Sequence, residues 1–258
     1  MAIITLTSDW GLKDHYIGVV KGAILNKMPS VNIIDITHNI ASFEIEQAAF
    51  VIRNCYRYYP KGTVHILAIN TEESEIHPHT VIENEGQYFI GTDNGIFSMI
   101  FDNKPDKIFE LTIPQESDFY TFSTRDRFVK AAVHLASGKK VEDLGTKKDD
   151  LLQKILLHPV IDNNLLKGHI IHIDNYQNLI TNIKKTLFDE VGKERNFGIF
   201  FRTYEIKKIS QSYLDVPIGE ILALFGSNEH LEIAINQGNA SGLLGLNTKD
   251  PIRIEFFD

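Results

Sequence analysis

Short apolar runs alternate with helix-period patterns through the first half of the chain, and with one another through the second. Ala2 to Thr7 is β-rich and apolar at nearly every position, as a strand buried on both faces would be. Asp14 to Lys27 carries Tyr16, Val19, Val20, Ala23, Ile24 and Lys27 at helical spacing and is closed by Pro29. Val31 to Ile36 predicts a second strand, Glu44 to Tyr59 a helix stopped by Pro60-Lys61-Gly62, and Thr63 to Ile69 a third strand. Strands joined by helices predict parallel pairing, because a parallel crossover needs a covering element. Thr80 to Ile90 reads as a hairpin around Asn84-Glu85-Gly86. Asp93-Asn94-Gly95 is a turn into a further apolar run, and Arg125 to Gly138 a helix.

The pattern changes after the charged Lys147-Lys148-Asp149-Asp150 stretch, which reads as a linker. From about Leu156 come short runs: Leu166 to Asp174, Phe197 to Phe201, Ile218 to Phe225, Leu231 to Ile235 and Ile252 to Phe256. Close-spaced strands with few helical patterns suggest a small antiparallel barrel or sandwich. The expected α/β fold is an N-terminal α/β domain over residues 1–150 with a largely parallel sheet. A smaller C-terminal antiparallel β-barrel domain over residues 156–258 is expected to follow it.

Composition narrows the function classes. Of 258 residues, 43% are hydrophobic and 23% charged, the balance of an ordinary globular protein. A formal charge of −8 argues against nucleic acid as a partner, which would need a basic stripe. The longest apolar runs, such as Ile96 to Phe101, fall far short of the roughly 20 residues of a membrane span. Met1 leads into a strand-like run without a basic or long apolar leader, so a cytoplasmic location is expected. Cys55, the only cysteine, excludes an intrachain disulfide and a Cys-based zinc cage. The common dinucleotide, P-loop, zinc-protease and serine-hydrolase signatures are absent.

Several polar segments remain as candidate chemistry. Ser8-Asp9-Trp10-Gly11 lies at the carboxyl end of the first strand, where ligands bind in open α/β sheets. Asp9 there could accept both hydroxyls of a ribose, or Asp9 or Asp14 could cap the following helix. Asp174 to Asn182 could hold the two ends of an amino acid, or form a hairpin turn. Ser227 to His230 and Asn236 to Ala240 are polar breaks between apolar runs, either ligand-binding or ordinary loops. Tyr213 could stack on a flat base or pack in the core. His77-Pro78-His79 places two imidazoles within metal-binding reach, but without an obvious acidic co-ligand no metal site is expected.

Taken in order, these segments carry a resemblance. The run from Ser8 to Gly18, then Lys21-Gly22, resembles the opening of the S-adenosylmethionine hydroxide adenosyltransferase family, whose relatives include fluorinating and chlorinating enzymes. Asp35-Ile36-Thr37-His38, Asp93-Asn94-Gly95, Ile173 to Ile183 and Ser227 to Ala240 are similar to further motifs of that family. The resemblance implies a homotrimer with sites between neighbouring subunits, S-adenosylmethionine as substrate and no cofactor. It implies that Asp9, in the loop with Trp10, holds the ribose and that Phe43 lies near the sugar. Tyr213 would lie against adenine, and Asp174 would bind the methionine ammonium. Asn178 and Ser227 would fix the amino-acid end, and the backbone from Asn236 to Ala240 would read the adenine edge.

The family's hydrolytic members carry an Asp-Arg-His set, and the matching positions here are Asn70, His77 and Ser123. An amide cannot act as a carboxylate, nor a hydroxyl as an imidazole at neutral pH. Three readings follow. First stands hydrolysis at the 5′ carbon, with His77, His79 or an acidic residue of the 72–75 stretch as base. Next is binding without turnover. Last is displacement by a halide, for which the halogenating relatives' aromatic replacements are also missing.

Overall fold

The computed structural model describes residues 2–115, 117–155 and 157–257, and the chain divides into two units, Met1–Ile155 and Leu156–Asp258. Leu156, where the second pattern was expected to begin, lies outside the described residues.

The first unit is built on strands β1 (Ile3–Ser8), β2 (Asn32–Thr37), β3 (Val64–Ala68), β4 (His79–Asn84), β5 (Gln87–Thr92), β6 (Lys107–Leu111) and β7 (Gly145–Lys148). They form one sheet in the order β2-β1-β3-β5-β4-β6-β7. Helices α1 (Tyr16–Lys27), α2 (Ile45–Cys55), α3 (Ile96–Ile100) and α4 (Val129–Ala136) cover it. Val20 and Ile24 of α1 and Ala131, Ala132 and Leu135 of α4 pack with Ile4, Leu6, Ile66 and Ile90. Ala48 and Ile52 of α2 and Phe97 and Ile100 of α3 pack with Leu67, Ile82 and Phe89. Adjacent residues Ile66 and Leu67 thus enter different cores, which explains the unbroken apolar strands.

The expected largely parallel sheet is corrected to a mixed one. The β1–β2, β1–β3 and β3–β5 ladders are parallel, whereas β4–β5, β4–β6 and β6–β7 are antiparallel. A two-residue turn makes the first antiparallel pair: Glu85 and Gly86 both have positive φ, 53° and 77°, the requirement of a tight hairpin. The second arises where a linker was expected, since Lys147 and Lys148 belong to β7 and pair with β6. Gly145 opens that strand against the Glu110 carbonyl, and a Cβ there would lie 1.8 Å from the carbonyl oxygen. The expected helix from Arg125 to Gly138 is two pieces, a π-helical turn over Thr124–Phe128 and then α4.

In the second unit, β8 (Val160–Asp162), β9 (Leu165–Ile173), β10 (Leu179–Lys184), β11 (Asn196–Phe201), β12 (Tyr204–Ile206), β13 (Ile209–Ser210), β14 (Ile221–Phe225), β15 (His230–Ile235) and β16 (Pro251–Phe257) form a single sheet. Its order is β12-β11-β16-β9-β10-β15-β14-β13, with β8 beside β9. All ladders are antiparallel except β13–β14. The expected barrel is corrected to a curled half-barrel, because among the described residues no ladder joins β12 to β13. Leu166, Ile183, Ile199, Ile233, Ile252 and Ile254 form its core. Two helices fall where the sequence pattern shows none, α5 (Lys185–Gly192) and α6 (Ala240–Leu244). The latter is a single short segment started by Asn239, whose side chain accepts the Gly242 N–H.

Candidate functional site

Strands β2 and β3 pair with opposite edges of β1, so the winding of the sheet reverses at β1. Such a reversal opens a crevice at the carboxyl ends of the strands, the usual ligand position in open α/β sheets. Ser8 pairs with Ala68, so the loops after β1 and β3 leave the sheet side by side.

Asp9 is the first residue beyond β1. It does not cap α1: that helix begins behind His15, with no side-chain cap. Asp9 Oδ2 instead accepts the Phe43 N–H at 2.9 Å, while Oδ1 has no hydrogen-bond partner among the described residues. Phe43 has φ 69°, a conformation that costs a bulky residue on the order of 1–3 kcal/mol. The residue is 71% exposed, so burial does not compensate. Asp9 therefore holds a strained turn with one oxygen, and the other is unengaged among the described residues.

The Asp35–His38 motif fixes this loop from the neighbouring strand. Ser8 Oγ bonds His38 Nδ1 at 2.7 Å, the Gly11 N–H donates to the His38 carbonyl at 2.7 Å, and the Trp10 indole stacks on the His38 ring at 6.4 Å. His38 Nε2 lies 3.1 Å from Asp35 Oδ1, and Lys21 Nζ lies 2.5 Å from Asp35 Oδ2. Burial pushes the Asp35 carboxyl up, but its bonds to Lys21 and His38 outweigh this and hold it below its usual range.

Asn70 and His77 both lie in the loop between β3 and β4, and Ser123 leads into the π-helical turn. Asn70 is exposed with φ 49°, and its carbonyl accepts from Asn94 Nδ2 at 3.2 Å. The His77 N–H donates to the Ser74 carbonyl and hydroxyl, and Ser123 is buried. No hydrogen bond joins the three side chains among the described residues. A different ionisable set occupies this loop. Arg127, on the π-helical turn, donates from Nη1 to both His79 Nδ1 (2.9 Å) and Glu73 Oε2, and from Nε to the Ile113 carbonyl (2.7 Å). His79 is fully buried and gives its Nε2–H to the Thr71 carbonyl at 2.9 Å, which makes Nδ1 the acceptor of a neutral ring. Burial lowers the His79 pKa and the Arg127 charge adds to this, against the opposing pull of Thr71 and Glu73. Nothing in the sequence marks Glu73 and Arg127 as partners, because 54 positions separate them. Among the described residues no three His, Cys, Asp or Glu side chains are grouped to hold a metal ion.

In the second unit, Asp174 organises the tight loop between β9 and β10. Its Oδ1 accepts the Asn178 N–H at 2.8 Å and its Oδ2 the Asn178 side-chain amide at 3.2 Å. The turn predicted over these residues is therefore real, and it presents a half-buried carboxylate. The Ser241 N–H donates to the Gln177 carbonyl, tying this loop to α6, which Ala240 begins. Asn236 is buried and donates to the Val216 carbonyl at 2.8 Å, a bracing role for its side chain. Ser227 is exposed in the β14–β15 turn. Tyr213 is 41% exposed, and its hydroxyl donates to Glu232 Oε1 at 2.6 Å. Glu232, not among the expected site residues, is the buried anchor of that ring. Burial raises its pKa, and the nearby Asp174 charge adds to this against the Tyr213 bond. Burial, then the Glu232 bond, raises the Tyr213 hydroxyl far above its ordinary value. A charged residue inside the apolar Leu231-Glu232-Ile233-Ala234 run was the available signal.

A mixed α/β unit with a carboxylate at its switch point, followed by a curled antiparallel unit, defines a two-unit α/β-plus-β protein. Family models place it more closely. Residues 4–145 match the SAM hydroxide adenosyltransferase N-terminal domain and residues 168–253 its C-terminal domain. The chain belongs to the SAM hydroxide adenosyltransferase family. It is similar to the (R)-S-adenosyl-L-methionine hydrolase of Methanocaldococcus jannaschii, at 32% identity over 98% of this chain and 95% of that protein. The protein of the same name from Thermus thermophilus is 27% identical, over 98% and 100% of the two chains. A fluorinase of Nocardia brasiliensis is 24% identical over 91% and 90%. The crystal structure of an uncharacterized conserved protein from Thermotoga maritima superposes with TM-score 0.88 at 29% identity, covering 98% and 99%.

Proposed function

We propose that this protein is an S-adenosylmethionine hydrolase-like enzyme, acting on the substrate with R configuration at sulfur that its relatives' names specify. Water attacks the 5′ carbon in line with the departing sulfonium and releases adenosine and methionine. The sulfonium leaves without activation, so the reaction calls for alignment and a proton acceptor rather than a cofactor. The observation that carries this reading is Asp9, held beyond β1 by the Phe43 N–H with its second oxygen unengaged. A ribose diol supplies two donors to such a carboxylate. Trp10 and Phe43 wall the sugar, Tyr213 lies against adenine, and the Asn236–Ala240 backbone reads the base. Asp174, with Asn178 and Ser227, takes the amino-acid end. Assembly as a homotrimer and a cytoplasmic location belong to the same proposal.

Incubation with S-adenosylmethionine, followed by chromatography, is expected to yield adenosine and methionine in equal amounts from one sulfur diastereomer. Asp9→Asn keeps an oxygen for Phe43 but loses the charge; adenosine affinity is expected to fall about 10- to 100-fold. Unchanged affinity would remove the ribose role. The presence of Asn70, His77 and Ser123 favours a second reading, ligand binding without turnover. Clear calorimetric binding with no product above background would select it. Product that appears only when halide is added would select the halide-dependent displacement instead.

A further inference from the structure

We propose that Glu73 is the carboxylate that orients and deprotonates the attacking water, with Arg127 and His79 as its positioning residues. This rests on the hydrolytic reading above. The loop carrying Glu73 follows β3, whose carboxyl end lies beside that of β1, so Glu73 and Asp9 stand in loops that leave the same edge of the sheet. At the positions where a proton acceptor was expected, an amide (Asn70) and a hydroxyl (Ser123) offer no base. Glu73 supplies the missing group from the same loop.

Its geometry suits the task. One carboxylate oxygen, Oε2, is held by Arg127, while Oε1 lies 3.5 Å from His79 Nδ1 and accepts no hydrogen bond among the described residues. The side chain is 38% exposed, open to water and to a ligand. Arg127 cannot swing away: its Nε is held by the Ile113 carbonyl and its Nη1 is shared between Glu73 and His79. His79 cannot be the base itself, because its ring is buried and both nitrogens are engaged. Its contribution is to lock Arg127 and, through Thr71, the loop. The π-helical turn that carries Arg127 is a rare element that occurs frequently at functional sites.

In the step, a water oxygen forms the bond to C5′ as the C5′–S bond breaks and its electron pair returns to sulfur. The proton lost by water passes to Glu73 and then to solvent. The products are adenosine, methionine and one proton.

The test compares the parent protein, Glu73→Gln and Glu73→Asp by adenosine release, with adenosine affinity measured by calorimetry. Glu73→Gln, which keeps an oxygen for Arg127, is expected to lower kcat about 10²- to 10³-fold with KM and adenosine affinity unchanged. Glu73→Asp, which keeps a carboxylate, is expected to recover a large part of the rate. Turnover by Glu73→Gln equal to the parent's would overturn the assignment. So would loss of adenosine binding in both variants, which marks a structural role. If the parent itself releases no adenosine, the hydrolytic reading falls and the role of Glu73 with it; turnover by the parent confines any failure to Glu73.

Discussion

Two buried histidines of the first unit, His65 and His79, make both of their ring hydrogen bonds and yet do different work. His65 Nδ1 accepts from the Thr5 hydroxyl and its Nε2–H donates to Gln87 Oε1, each at 2.7 Å. Gln87 in turn gives its amide to the Tyr56 and Tyr59 carbonyls, and the His65 ring stacks on Phe89. Every link is neutral and the chain closes inside the core. His79 starts the same way, on the Thr71 carbonyl, but its second bond leads to Arg127 and on to a carboxylate in solvent. An imidazole is thus structural or functional by where its chain of bonds ends, rather than by its own burial.

Cutting the ionic chain at its middle gives the largest contrast. Arg127→Ala removes the grip on Glu73 and leaves His79 Nδ1 and the Ile113 carbonyl without their donor. Adenosine release is expected to fall about 10²- to 10³-fold. Urea unfolding is expected to show a stability loss of about 1–3 kcal/mol. His65→Gln, cutting the neutral chain, is expected to reduce stability without slowing turnover. Equal effects on turnover would erase the distinction between the two networks.

Acid offers the next test. Burial, only partly offset by the Gln87 bond, pushes the His65 pKa from 6.5 down to about 4. Above pH 6.5 the ring is neutral in both the folded and unfolded chains and adds no pH dependence. Below that value the unfolded ring takes up a proton that the folded one refuses until about pH 4, so stability falls across this window. The shift corresponds to about 3 kcal/mol at the acid end. Unfolding curves collected from pH 7 to 4 are expected to show a markedly shallower decline for His65→Gln than for the parent.

A smaller effect is expected in the second unit. Tyr213→Phe keeps the ring but frees Glu232 Oε1, and adenosine affinity is expected to weaken about fivefold, for about 1 kcal/mol of lost orientation. Calorimetry checks this, and no change would show that the Glu232 bond does not aim the ring.

What the sequence made legible follows from the range of the forces involved. Helical spacing announces α1 and α2, and unbroken apolar runs announce β1 and β3, because each pattern repeats over neighbouring residues. The place of Asp9 just beyond β1 was readable for the same reason, whereas the reversal of winding at β1 was not, since strand order is set by long-range pairing. The antiparallel half of the first sheet was not, since Lys147 and Lys148 carry a linker's charge while their backbone pairs with β6. Helix α6 depends on one Asn239 side-chain cap rather than on a periodic stripe. Glu232 sits where alternation would place a solvent-facing residue, yet it is buried beside its cross-strand partner Leu224 and under the Tyr213 hydroxyl, neither of which lies near it in sequence. Glu73 and Arg127 meet across 54 positions, through a π-helical turn that no local pattern encodes.

The central claim, that water itself displaces methionine at C5′, is tested most directly by running the reaction in H₂¹⁸O and examining the adenosine by mass spectrometry. The account predicts a single ¹⁸O atom, carried on the 5′ oxygen. Adenosine released without the label would contradict it.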